Sequence, residues 1–308
     1  MRRDFVDEVG RLQKIRRTDM IEKDLLLHQM LLDLSNNAFF SRNFLFKGGT
    51  CLIKCYLGYF RFSEDIDFTW KDQKVFEGKS QKEIRSYLSG IIDALGEVFE
   101  KIATKRGLDF KCEKYNRVYV ELGGGNKTCT FKIWFQSEVL NRRSFMKVQI
   151  NFVERMYFAP QRKKLQTLLS KEHKEISTLF PEYSEYLQRT TFDAYDINEI
   201  LCEKVRSILT RKGTKARDFI DVYLICKNVG VRLEDVRKYI IDKTRFVLNL
   251  YEKYRNNLAE KKDLVVSGRA FTWGEERELL LLAIDEKEFY EFLENFTVFL
   301  KKVIEELI

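Results

Sequence analysis

Proline is nearly absent, with two residues in 308. With an aromatic content of 14%, that scarcity argues against long disordered linkers and for a well-packed globular chain. Histidine is equally rare: His28 and His173 are the only two. Cys51, Cys55, Cys112, Cys129, Cys202 and Cys226 are scattered and form no paired C-x-x-C blocks, which argues against a zinc site. Cys51 and Cys55 lie one helical turn apart and are expected to pack as small hydrophobes. No apolar run approaches 18 residues and no signal peptide is visible, so the expectation is a soluble, cytoplasmic protein without a membrane partner. Internal repeats and low-complexity tracts are lacking as well.

What is present is length and positive charge. A chain of 308 residues and 36.8 kDa suffices for one large or two ordinary domains. Lysine and arginine number 55 against 47 acidic residues, giving a net charge of +8 and a pI near 9.0. That balance suits a polyanionic partner and says nothing of fold. Basic clusters occur at Arg162-Lys163-Lys164 and at Arg211-Lys212-Lys215-Arg217.

Residues from about Arg3 to Asn36 read as helical, with an apolar LLLHQMLLDL stretch. Ser80 to Arg106 reads as a long amphipathic helix, with Ile84, Leu88, Ile91, Ile92, Leu95, Val98 and Phe99 on one face. Strands are expected over Arg117–Leu122, from Thr128 after a GGGNK turn, and over Ser144–Val153. In the last of these, Lys147, Gln149 and Asn151 oppose Met146, Val148, Ile150 and Phe152. From Asp196 onward the pattern is helical, with Val231–Asn257 and Glu275–Ile308 as its final stretches. The expected division is a core over residues 1–155 and a mainly helical part over 156–308.

The most informative segment is FKGGTCLIKCYLGYFRFSEDIDF, from Phe46 to Phe68. A short strand, Phe44-Leu45-Phe46, enters Gly48-Gly49-Thr50, an amphipathic helix follows, and a strand then carries Asp65 and Asp67. Residues two apart on a strand share a face. The two carboxylates therefore point to one spot, with Ile66 and Phe68 on the buried side. Adjacent carboxylates repel unless a cation lies between them, and Mg²⁺ is the usual hard ion for oxygen donors. A glycine turn at a helix N-terminus offers free N–H groups to phosphate. Taken singly, a Gly-Gly turn is an ordinary tight connection and D-x-D is common on solvated strand ends. Their joint order across one helix is the arrangement used in metal-assisted phosphoryl or nucleotidyl transfer. Thr50 is placed either to cap the helix or to touch a phosphate. Arg61 and Ser63 share the strand parity of the aspartates, as phosphate or acceptor contacts or as polar residues of a strand edge.

The order GG[ST], helix, D-x-[DE] resembles the polymerase-β nucleotidyltransferase superfamily. The fuller string is similar to the AbiEii/AbiGii toxin family, which includes the toxins of AbiE phage-resistance systems and the MenT toxins. Ile21-Glu22-Lys23-Asp24, opening a helix, and the segment Glu199–Ile225, with its E-x4-K…R…RD-x2-D pattern, fit the same family. The resemblance implies an α/β (α+β) nucleotidyltransferase core, a mixed sheet flanked by helices, followed by a helical C-terminal region that completes the active site. It implies Mg²⁺ (or Mn²⁺) at Asp65 and Asp67, a nucleoside triphosphate as substrate, and catalytic roles for Asp65, Asp67, Lys204 and Asp218. Lys47, Gly48, Gly49, Thr50, Arg61, Ser63, Arg211, Arg217 and Asp221 would contact the nucleotide or its phosphates. Lys204 would touch the triphosphate without carrying stability, the alternative being that it belongs to a solvated charged face with a capping Asp218. The superfamily's third carboxylate is missing: Gln149 or Asn151 stands in its place, with Glu154 beyond. The expected acceptor is RNA, a tRNA or tRNA-like 3′ end, and a cognate antitoxin is the expected partner in phage defence. A protein or small-molecule acceptor, or a non-catalytic nucleotide- or RNA-binding module, are the alternatives.

Overall fold

The computed structural model describes residues 2–169, 174–188 and 190–308. His173 lies outside these. Alternating and apolar segments become seven strands: β1 (Phe44–Lys47), β2 (Asp65–Trp70), β3 (Val120–Gly123), β4 (Thr128–Ser137), β5 (Arg142–Asn151), β6 (Gln161–Lys164) and β7 (Thr191–Ala194). They form one mixed sheet in the order β3-β4-β5-β2-β1-β7-β6. β2 is antiparallel to β1 and parallel to β5, and β1 is parallel to β7. About 58% of the chain is helical, so the α/β class expected from the sequence holds.

The chain forms two compact units, Met1–Glu154 with Pro160–Ala194, and Arg155–Ala159 with Tyr195–Ile308. Residues 160–194, beyond the expected division at 155, thus belong to the first unit. β7 pairs with β1 at Phe46 and Ala194, and β6 pairs with β7, which brings residues 160–194 into the sheet. Local pattern cannot announce a parallel pairing between strands so far apart in sequence.

In the first unit, period-two alternation sorts β2, β4 and β5 into an apolar and a polar face. Ile66, Phe68, Phe131, Ile133, Met146, Val148 and Ile150 are fully buried on the apolar side. There the helix Gln81–Arg106 packs, with the Phe99 ring 4.7 Å from Phe131. Its start is fixed by a capping box, Ser80 with Glu83, and its end by Gly107 at φ +64. Phe68 meets Phe40 at 4.7 Å and Phe192 at 5.6 Å.

The second unit is helical, with helices at Ile197–Thr210, Ala216–Val229, Leu233–Leu250, Glu252–Val266 and Glu286–Leu307. Phe219, Tyr223, Phe271, Phe289 and Phe296 form its aromatic core. The helical stretch expected over Val231–Asn257 is two helices, parted at Tyr251 in extended conformation. The stretch expected over Glu275–Ile308 is a 3-10 turn, Glu275–Leu279, and a helix that begins only at Glu286, and three further boundaries differ from the sequence pattern. The N-terminal helical region breaks after Gln13, where Lys14 adopts φ +55. Arg117–Tyr119 form a turn ahead of β3, closed by the Asn116 carbonyl accepting from Tyr119 and Val120. β5 runs two residues earlier than expected at each end. Among the described residues no helix is long and apolar enough to cross a membrane.

Phe68 is the apolar counterweight to the aspartates on β2. Phe68→Ala is expected to destabilise the protein by about 3–5 kcal/mol in a urea melt. A loss under about 1 kcal/mol would mean that this aromatic layer is not the core.

Candidate active site

β1 and β2 place the glycine turn against the carboxylates. Lys47 pairs in register with Asp67, so the chain must turn sharply as it leaves β1. Gly48 does this at φ +76, a conformation that L side chains rarely adopt. A Cβ there would overlap the Asp67 carboxylate, and one on Gly49 would lie 2.7 Å from Arg61 Nη2. Gly48 is therefore required by dihedral as well as by close approach, and Gly49 is constrained by its closeness to Arg61 alone. Asp65 and Asp67 are half-buried on the polar face of β2, between fully buried Ile66 and Phe68.

The segment ahead of β2 closes over the turn. Arg61 and Ser63 lie outside β2 and reach Gly49 from the loop, Ser63 Oγ being 3.4 Å from a Cβ built there. Arg61 is buried and donates to the Phe62 carbonyl at 2.7 Å. Thr50 does not cap the helix, which starts at Gly48 with Lys47 as its N-cap. Its buried hydroxyl donates to the Asp65 carbonyl and shares a 2.8 Å hydrogen bond with the Ser63 hydroxyl. Thr50 thus ties the helix start to the strand that bears the carboxylates.

That helix widens into a π-turn over Ile53–Leu57, which sequence pattern alone does not show. Here Lys54 is buried, its Nζ 2.9 Å from Asp24 Oδ1 and also bonded to the Tyr59 hydroxyl. The Tyr59 and Tyr186 hydroxyls donate to Asp24 Oδ2 at 2.9 and 3.1 Å. Burial, then the Asp24 charge, pushes both phenols well above their ordinary range. His28 packs edge-on against Tyr186 at 5.0 Å, and burial, then Lys54, drives its pKa down. Asp24 therefore anchors the loop that carries Arg61 and Ser63.

Beside the turn, buried Lys47 extends its Nζ to 3.2 Å from Glu154 Oε1. Asn151 Nδ2 donates to the same oxygen at 3.1 Å, and the Glu154 N–H donates to Gln73 Oε1 at 2.9 Å. Gln149 is the in-register neighbour of Asp67. Among the described residues no group of three His, Cys, Asp or Glu is placed to hold a metal ion. Two carboxylates with hard oxygen donors still fit Mg²⁺, which commonly takes one or two protein carboxylates and completes its shell with water and phosphate.

In the second unit, Lys204 Nζ lies 3.0 Å from Asp218 Oδ1 and 2.6 Å from Asp221 Oδ2. Arg211 Nη1 lies 2.5 Å from Asp218 Oδ2. Both aspartates are buried, so a solvated charged face does not describe them. Arg217 is half-buried in the first turn of its helix.

The sequence model of the family described as nucleotidyl transferase AbiEii toxin, type IV toxin–antitoxin system, matches residues 30–305. The chain belongs to the AbiEii family. It is a nucleotidyl transferase toxin of a type IV toxin–antitoxin system, and membership implies a cognate antitoxin. No curated protein matches the chain. The crystal structure of JHP933 from Helicobacter pylori is similar at 14% identity and a TM-score of 0.44, covering 94% of this chain and 93% of that one. A second Helicobacter pylori crystal structure is similar at 15% identity and 0.44, covering 94% and 98%. At that TM-score neither likeness bears on the site.

In this AbiEii transferase Gly48, Gly49, Thr50, Arg61, Ser63, Asp65 and Asp67 lie against one another, Arg61 and Ser63 from a loop and not from the strand. The sequence pattern gives no hint of the Lys47–Glu154 pair or of Lys54. A lysine beside a glycine turn reads as exposed until a carboxylate from the end of β5 is seen to meet it. The Lys243–Glu199 pair, 2.5 Å apart and fully buried, is equally hidden. Glu199 also accepts from the Tyr157 and Phe158 N–H groups at 2.8 and 2.9 Å.

The burial of Asp218 and Asp221, both paired with Lys204, reverses the expectation that removing the lysine leaves stability unchanged. Burial pushes the Asp218 carboxyl up, but Lys204 and then Arg211 outweigh it and hold the pKa below its ordinary 3.8. A depressed carboxylate stabilises the fold fully above about pH 4, and that stability is lost as pH falls through the folded-state value. Lys204→Ala is expected to cost about 3–5 kcal/mol, because two buried carboxylates lose their shared partner. The remaining acid-sensitive transition should also move to higher pH. Thermal melts between pH 3 and 7 test this; unchanged stability and pH profile would contradict the buried pairing.

Proposed function

We propose that this transferase moves a nucleotide from a nucleoside triphosphate to RNA, with the 3′ end of a tRNA as acceptor, and that it needs Mg²⁺ or Mn²⁺. The observation that carries the reading is the contact between Gly48 and Asp67. It sets a phosphate-sized turn of backbone N–H groups against two carboxylates on one strand face. The first N–H groups of a helix have no partner within it, so Gly48, Gly49 and Thr50 would hold the triphosphate. Arg61, buried beside Gly49, would add positive charge there, and Ser63 a hydroxyl.

Asp65 and Asp67 would hold the divalent ion. When bound, such an ion neutralises charge that develops on the transferring phosphate. Lys47, tied to Glu154, would fix the strand end from which the turn departs. Within the second unit, Lys204 would contact phosphate, with Asp218 and Asp221 setting its position and Arg211 and Arg217 as further phosphate contacts. Lysine serves phosphate as a point charge, and two buried carboxylates hold this one in place.

RNA is favoured as acceptor by the net charge of +8. The cluster beside Lys204 adds exposed Lys212 and Lys215. Arg162 and Lys163 are more engaged, Arg162 with Asp193 at 3.1 Å and Lys163 over the Tyr56 ring at 4.5 Å. As half of a toxin–antitoxin pair, the proposed biological setting is phage defence.

Asp65→Asn and Asp67→Asn are each expected to abolish transfer while melting in metal-free buffer holds or rises slightly, since each removes one of two repelling charges. Each of the four α-labelled triphosphates, supplied with total RNA, metabolites and cell protein, should yield label on RNA 3′ ends. Full activity of Asp67→Asn, or label confined to protein or metabolites, would overturn the reading.

A further inference from the structure

The carboxylate-bearing face of the sheet continues beyond β2. Register pairs Asp65 with Lys147 and Asp67 with Gln149 on β5, and then Lys147 with Lys132 and Phe145 with Trp134 on β4. Paired residues point to the same face, so Asp65, Lys147, Lys132, Phe145 and Trp134 all share it. The opposite face is sealed by the helix Gln81–Arg106, whereas these side chains stay partly accessible.

Their contacts form an ordered stack. The Phe145 ring lies 4.7 Å from Trp134, and the Arg143 guanidinium lies 4.4 Å over the indole. Trp134 Nε1 donates to the Val118 carbonyl at 2.8 Å, and Arg143 is pinned by Asp109. The Lys147 and Lys132 ammonium groups flank Phe145 at 5.7 and 5.9 Å. Among the described residues neither Lys147 nor Arg142 forms an ion pair. A cavity of about 510 Å³ opens beside the stack, lined by Trp134, Phe145, Arg142 and Arg143 and reaching Lys23 and Glu64, the residue before Asp65.

We propose that this face is the cradle for the single-stranded end of the acceptor RNA. Phe145, Trp134 and Arg143 would stack on its bases, and Lys147 and Lys132 would take its phosphates. Alternate residues on a strand are about 7 Å apart, close to the spacing of successive nucleotides. A nucleic-acid strand ending at Asp65 and Asp67 would thus lay its next base over the Phe145–Trp134 pair. Cations interleaved with π faces match single-stranded nucleic acid, which offers charge and stacking surface together. The inference rests on the RNA-acceptor reading, but the surface can be tested apart from it.

The test is binding, without triphosphate, of a fluorescent single-stranded RNA 12-mer, an abasic ribose-phosphate strand of equal length, and polyglutamate. Wild type should prefer the base-bearing strand. Trp134→Ala should bind that strand about 5- to 150-fold more weakly and the abasic strand unchanged, while Trp134→Phe restores the preference. Lys147→Gln, which leaves the stack intact, should weaken both strands and lower the salt slope by about 0.7. No wild-type preference for bases, or polyglutamate binding as tightly as RNA, would overturn the cradle. So would Trp134→Ala and Phe145→Ala binding normally, and if RNA were still labelled the acceptor reading would survive. Loss of base preference in Trp134→Ala while label goes only to protein would sustain the cradle and sink the acceptor reading.

Discussion

The close approach of Gly48 to Asp67 is the constraint on which the first unit depends. β1 must end beside β2, because Lys47 pairs with Asp67, and the next residue must reverse direction with no side chain at all. Any larger residue at Gly48 would need a strained φ and would displace a carboxylate. Turn, helix start and carboxylate pair are thus a single rigid piece. Thr50 clasps it to the Asp65 carbonyl, and Ser63 and Arg61 close over Gly49. A phosphate held by the turn would necessarily face the two carboxylates.

Both units use a recurrent device, a lysine held by a buried carboxylate. Lys47 meets Glu154, Lys54 meets Asp24, Lys204 meets Asp218 and Asp221, and Lys243 meets Glu199. Desolvation offsets much of the attraction in such pairs, so their net contribution to stability is small, while breaking one is costly. Their structural effect is positional. The first two fix the strand end and the loop flanking the glycine turn. The third holds the proposed phosphate-contacting ammonium in one place, and the fourth anchors residues 155–159 through the Glu199 bonds to Tyr157 and Phe158.

Much of this was legible in the sequence wherever chemistry is local. The alternation Asp65-Ile66-Asp67-Phe68 sorts a site from a core within four residues, and the glycine pair announces its own turn. The Ser80 cap and the apolar stripe of the following helix are equally local. What stayed hidden depends on partners distant in the chain. Lys204 and Arg211 share a helix face by spacing, but spacing does not say that Asp218 and Asp221 bury that face. Thr50 reads as a cap because its real partners, Ser63 and the Asp65 carbonyl, arrive from another strand. The place of β7 beside β1 needs a pairing across some 150 residues, and Trp134 meets Phe145 only once the β4–β5 register is known.

The central claim is that Asp65 and Asp67 together form a divalent-cation site backed by the glycine turn. Mn²⁺ titration followed by electron paramagnetic resonance reads that site without any acceptor or turnover. The account predicts one bound Mn²⁺ in wild-type protein with triphosphate present, lost in both Asp65→Asn and Asp67→Asn and retained in a control such as Lys212→Gln. Undiminished Mn²⁺ binding by either asparagine variant would contradict it.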